Sequence, residues 1–128
     1  MTRIGASVDG LTRDHPGLSG IHPLANPHDA FAARMLGAAA AENSLDVQYY
    51  IWRRDMTGTL LLEALHGAAD RGVRVRLLLD DYGVSGLDGE LAALDSHPNI
   101  RVRLFNPLFT RRPKWLGFLT DFRRANRR

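Results

Sequence analysis

Gly72-Val73-Arg74-Val75-Arg76-Leu77-Leu78-Leu79-Asp80-Asp81 decides the fold of this chain. The segment alternates valine with arginine, turns continuously apolar and closes on two carboxylates, a pattern suited to an interior parallel strand covered on both faces. Immediately upstream, residues 57–71 carry Leu61, Leu65 and Ala68 at helical spacing, and Gly72 falls where a left-handed residue ends a helix. Farther upstream, Leu45, Val47, Tyr49 and Ile51 alternate with Asp46, Gln48, Tyr50 and Trp52, which predicts a strand over 44–52 with one aliphatic and one polar-aromatic face. Before it, Asn26 caps and Pro27 opens a helix predicted over 27–43, with Asp29 placed favourably for its dipole and Phe31, Met35 and Ala39 on one stripe. Downstream, a Gly-rich turn leads to a helix over about 87–96. Ser85 is the expected cap with Asp88 three positions on, and Leu87, Leu91 and Leu94 form the stripe. Pro98-Asn99 breaks that helix, and Ile100-Arg101-Val102-Arg103-Leu104-Phe105 reads as a third strand.

Strands separated by helices of this length imply an α/β fold: a parallel sheet of about three strands with crossover helices. Ligands of such sheets bind beyond the carboxyl ends of the strands, where this sequence supplies Tyr50, Trp52, Asp80, Asp81, Asn106 and Pro107. With 128 residues the chain has room for one core and not for two. Residues 1–26 show no period and are expected as an extended lead-in, with one domain over 27–128 that ends in a basic amphipathic tail over 107–128.

The net charge of +3 hides an asymmetry, because residues 1–100 carry 8 basic and 13 acidic groups while residues 101–128 carry 9 basic groups against Asp121 alone. A composition without cysteine excludes disulfides, thiolate zinc sites and thiol catalysis. Asp9 interrupts the N-terminus before an export signal develops, and the longest apolar run, residues 35–41, is too short to span a bilayer. These features predict a cytoplasmic protein or one peripheral to the inner membrane.

Asp80-Asp81 could bind a divalent cation or hold a base, but adjacent strand residues point to opposite faces, so at most one faces a site and the bland reading is a capping turn. His15, His22, His28, His66 and His97 include no pair three to five residues apart, so spacing predicts no metal site. Gly83, Gly86 and Gly89 match neither phosphate-loop pattern. In the tail, Trp115, Leu119 and Phe122 share a helical stripe with Phe118 beside it, flanked by Arg111, Arg112, Lys114, Arg123 and Arg124. Two readings of that tail stand: a surface for an anionic membrane, and an ordinary helix packed on the sheet. Arginine clusters also neutralise nucleic-acid phosphates, but no base-stacking module is recognisable, so nucleic acid is not the expected partner.

Three strings in order, Leu45-Asp46-Val47-Gln48-Tyr49-Tyr50-Ile51-Trp52, Gly72 through Asp81, and Arg101-Val102-Arg103-Leu104-Phe105-Asn106-Pro107, resemble the first half of phospholipase D superfamily proteins of the cardiolipin synthase C-like branch. The tail from Trp115 to Arg128 continues the likeness, which runs from about Leu18. The resemblance implies an incomplete phospholipase D-like half-domain. In the family, a His-x-Lys-x-x-x-x-Asp motif is present once in each half; one histidine attacks phosphorus, the other protonates the leaving oxygen, and lysines stabilise the charge without a metal or other cofactor. Here no histidine is followed two positions later by lysine, so no catalytic residue carries over. The resemblance therefore implies a truncated N-terminal fragment of a phosphatidyltransferase or phospholipase acting on anionic phospholipids, inactive by itself and ending where relatives begin the first motif. Tyr50, Trp52, Asp80, Asp81 and Asn106 are its expected substrate-side scaffold. Arg111, Arg112, Lys114, Trp115, Phe118, Arg123 and Arg124 are its expected membrane-binding residues. The expected partners are an anionic phospholipid or membrane surface and the missing half of the enzyme. The alternative is a non-catalytic module that docks on a membrane or a partner through the basic aromatic tail.

Overall fold

The computed structural model describes residues 1–107. Four helices and three strands follow in the order α1 (Arg3–Thr12), α2 (Pro27–Ala40), β1 (Ser44–Tyr49), α3 (Met56–Asp70), β2 (Arg74–Asp80), α4 (Asp88–Asp95) and β3 (Ile100–Phe105), with a single 3-10 turn over Asp81–Gly83 between β2 and α4. The strands form one parallel sheet in the order β1-β2-β3, with Leu45 opposite Val75 and Val75 opposite Ile100. The α/β architecture expected from the strand and helix periods is the one observed.

Local chemistry explains most boundaries. Asn26 accepts the His28 N–H at 2.8 Å and Pro27 takes the first helical position, so α2 begins where expected. Asp55 caps α3 by accepting the Gly58 N–H at 2.8 Å, and Gly72, at φ 90°, ends the passage from α3 into β2. Leu61, Leu65, Ala68 and Ala69 of α3, Leu91 and Leu94 of α4, and Val75, Leu77, Leu79 and Ile100 of the sheet make one buried cluster. Each such valine, leucine or isoleucine contributes about 1.5–3 kcal/mol when removed from water.

Four expectations need correction. Residues 1–26 are not uniformly extended: α1 forms because Thr2 Oγ1 accepts the Gly5 N–H at 3.0 Å, the Ser7 and Thr12 hydroxyls bond back into the helix, and Arg13 pairs with Asp9 at 2.8 Å. It buries no side chain and is tied to the body through Arg3, whose N and Nε donate to the Glu42 carboxylate at 3.0 and 3.1 Å. Ser85 makes no cap; α4 starts after Leu87 without a side-chain hydrogen bond. On α2 the buried residue is Ala38, while Ala39 is exposed.

Nor is β2 covered on both faces. Val75, Leu77 and Leu79 are buried on the face that packs against α3, whereas Arg74 and Arg76 lie exposed and Leu78 half-buried on the other side. The period of two puts every arginine of the strand on one face. Register aligns Asp46, Arg76 and Arg101 across that open face, and Gln48, Leu78 and Arg103 beyond them.

Candidate functional site

The carboxyl ends of the three strands are tied together. Asp80, the last residue of β2, accepts the Tyr82 N–H on Oδ1 at 2.9 Å and the Asn106 side-chain amide on Oδ2 at 3.3 Å. Asn106 sits at φ 49°, a left-handed conformation that asparagine tolerates better than most residues, and from there its side chain reaches Asp80 at the end of β2. Beside them the Trp52 N–H donates to the Gly83 carbonyl at 3.1 Å. Gly83 passes so close to the Tyr50 carbonyl that a Cβ there would collide with it.

The sequence-predicted residues therefore converge at one end of the sheet, but with different exposures. Tyr50 is 67% exposed, whereas Asp80 and Asp81 are buried at 7% and 4%. Both carboxylates lie inside the turn, so neither stands open on a sheet face. Trp52 is buried in the core, because β1 ends at Tyr49 and the alternation breaks there, turning Trp52 inward and Ile51 outward. Its ring meets Tyr49 edge to face with centroids 4.8 Å apart, and its Nε1–H finds no hydrogen-bond partner among the described residues. Arg111, Arg112, Lys114, Trp115, Phe118, Arg123 and Arg124 lie outside the described residues.

Next to this end, a hollow of about 430 Å³ opens between α2, the end of β1 and the start of α3. Phe31, Tyr49 and Trp52 give it an aromatic floor, and Arg34, Arg53 and Asp55 supply charge. The Arg34 guanidinium lies 5.9 Å from the centre of the Tyr49 ring, within cation–π range. Asp55 is engaged as the α3 cap, and the Gly58 N–H, followed by the Thr57 hydroxyl, holds its carboxyl below the ordinary carboxylate range. With Asp55 committed to the cap, the Arg34 guanidinium over the Tyr49 ring, with Arg53 also lining the hollow, suits an anion attached to an apolar body. Phe31 and Arg34 escaped notice as site residues because α2 was read only for its core stripe; an aromatic and a cation three positions apart, on neighbouring positions of one helix, was the available signal. Among the described residues no helix is long and apolar enough to cross a membrane.

Comparison with known proteins gives this geometry a family. No protein-family profile matches the chain. Cardiolipin synthase C of Escherichia coli strain K12 is 57% identical over all 128 residues, which make up 27% of that protein. Cardiolipin synthase B of the same strain is 31% identical over 109 residues, or 84% of this chain and 25% of that one. The chain thus spans about a quarter of these relatives. Among solved structures, the archaeal chromatin protein TrmBL2 superposes with a TM-score of 0.53 over 81% of this chain and 41% of its own, at 13% identity, a likeness of fold alone. Identity sustained from end to end, through all three strand strings, places this chain in the cardiolipin synthase C-like branch of the phospholipase D superfamily, as the N-terminal part of its first half.

Proposed function

We propose that these 128 residues form the N-terminal segment of a cardiolipin synthase-type phosphatidyltransferase acting on anionic phospholipids, and that they carry no phosphodiester chemistry alone. The 57% identity to cardiolipin synthase C over the whole segment carries the reading. The hollow flanked by Arg34 and Arg53 agrees with it, since guanidiniums bind phosphate oxygens and aromatic carbon accepts an apolar body. Inactivity follows from the sequence, in which no histidine is followed two positions later by lysine. The test is an assay of the purified 128-residue chain on phosphatidylglycerol vesicles: no cardiolipin forms, and protein-dependent turnover overturns the inactivity. Genomic DNA downstream of the Arg128 codon is expected to encode a His-x-Lys-x-x-x-x-Asp motif in frame, and its absence overturns the segment reading.

A second reading is favoured by the charge asymmetry, with 9 basic groups against one acid in residues 101–128. In it the basic aromatic segment docks on an anionic membrane or on a partner supplying the rest of the enzyme, peripheral to the inner membrane. Co-sedimentation with phosphatidylglycerol vesicles that fades with salt and is lost in Trp115→Ser/Phe118→Ser supports it. Sedimentation independent of the anionic lipid rejects it.

A further inference from the structure

At the other end of the sheet, where the strands begin, three ligating side chains meet that the sequence keeps far apart. His66 and Asp70 stand one turn apart at the end of α3, with His66 Nδ1 3.1 Å from Asp70 Oδ2. His97, in the connection from α4 to β3, brings Nε2 to 3.3 Å from Asp70 Oδ1. The two imidazoles meet edge to face with centroids 5.1 Å apart, and one ligating atom from each residue lies within 4.8 Å of the other two.

We propose that His66, Asp70 and His97 bind one divalent transition-metal ion of the Zn²⁺ type, which staples the end of α3 to the α4–β3 connection. Two imidazole nitrogens and a carboxylate suit Zn²⁺, Co²⁺, Ni²⁺ or Cu²⁺, whereas Ca²⁺ and Mg²⁺ take oxygen ligands. Zinc bonds of about 2.0–2.1 Å in a tetrahedron separate neighbouring ligand atoms by roughly 3.3 Å. The imidazoles stand 3.1 and 3.3 Å from opposite oxygens of Asp70, so the carboxylate and both rings must rotate to bring three ligating atoms, already within 4.8 Å of one another, onto one ion. Asp70 is the last residue of α3 and His97 closely follows the end of α4, so the carbonyl ends of both helices face the cation with partial negative charge.

The least exposed ligand is held in place before any ion arrives. The His97 N–H donates to the Leu94 carbonyl at 3.1 Å, the Ile100 N–H donates to the His97 carbonyl at 3.0 Å, and Asn99 Nδ2 bonds the Ala69 carbonyl at 3.1 Å. One contact opposes binding: the Asn99 N–H donates to His97 Nδ1 at 3.1 Å, which keeps the ring proton on Nε2. The ion must displace that proton and give up the Asn99 bond, so the site binds less tightly than a closed four-ligand zinc centre. His66 and Asp70 side chains are 51% and 58% exposed, which admits the ion from solvent and leaves a fourth position for water. Placement at the amino ends of the strands separates this staple from the carboxyl-end residues.

The test titrates zinc chloride into the 128-residue chain and follows calorimetry together with histidine ring resonances. One equivalent binds, and the His66 and His97 rings shift while those of His15, His22 and His28 do not. His66→Ala and Asp70→Asn, both at exposed positions, each weaken Zn²⁺ by about tenfold or more, since loss of even an outer-shell group costs 10–100-fold. His28→Ala leaves binding unchanged, and circular dichroism verifies the fold of each variant. Absence of saturable binding, unchanged affinity in both ligand variants, or shifts at the N-terminal histidines instead overturns the proposal. The resonances of the unsubstituted chain decide it even where a variant fails to fold.

Discussion

Asp46 of β1 and Arg76 of β2 are register partners, and they join in a two-pronged ion pair on the open face of the sheet, Nε to Oδ1 and Nη2 to Oδ2. The pair bridges an edge strand to the central strand where no helix among the described residues covers them. Hydrogen bonding from Arg76 is the main cause holding the Asp46 carboxyl below the ordinary carboxylate range.

Acid should therefore loosen the β1–β2 pairing. A carboxyl whose folded pKa is depressed contributes stability that is complete above its unfolded pKa and disappears as pH falls through the folded one. The thermal midpoint of the chain is expected to fall between neutral pH and pH values below the ordinary carboxylate range, and to fall less steeply in Asp46→Asn. Identical pH profiles in the two proteins contradict this account.

The α3 cap makes a second, separable pH prediction. Asp55 accepts the Gly58 N–H and the Thr57 hydroxyl, at 2.8 and 2.7 Å, and its carboxyl is likewise held low. Asp55→Ala loses the cap at every pH and lowers the unfolding midpoint. Asp55→Asn keeps a side-chain acceptor and is expected to recover much of that loss, with a weaker dependence on acid.

Leu65 is fully buried and Leu36 is 69% exposed, although both occupy helices. Leu65→Ala is expected to cost about 2–5 kcal/mol in urea unfolding, and Leu36→Ala to stay within about 0.5 kcal/mol. Equal effects would show that α3 does not form the centre of the core.

Gly83→Ala places a Cβ against the Tyr50 carbonyl, a backbone atom that cannot swing away. Overpacking of this kind destabilises by about 1–3 kcal/mol. Backbone amide resonances of residues 50–52 and 80–83 should shift together in this variant, because the turn and the end of β1 move as one unit.

At Asn106 two contributions separate cleanly. Asn106→Gly keeps the left-handed turn and loses the Asp80 hydrogen bond, whereas Asn106→Ala loses both. The alanine variant is expected to be less stable than the glycine variant by about 1 kcal/mol in chemical denaturation, the cost of a left-handed backbone for a residue with a Cβ.

Periodicity made α2, β1, α3, β2, α4 and β3 legible in the chain, with Asn26, Pro27 and Gly72 marking boundaries by their own backbone chemistry. It did not reveal α1. Gly5 and Gly10 weaken helix propensity there, and the Thr2 cap with Ile4, Val8 and Leu11 at helical spacing was a fainter signal than the surrounding Gly, Pro and His. The carboxyl-end residues were legible as a group, because a parallel sheet delivers its strand ends to one place. Their exposures were not.

By itself, then, the sequence determined the element order, the parallel sheet, the family and the concentration of positive charge after residue 100, all of which rest on local spacing or on ordered strings. Tertiary structure alone decided that Trp52 points inward, that Asp80 meets Asn106, that one face of β2 stays open and that His66, Asp70 and His97 converge. Those outcomes depend on where a strand ends and on how helices seat on the sheet. Packing between residues distant in the chain sets both, and no period along the chain encodes it.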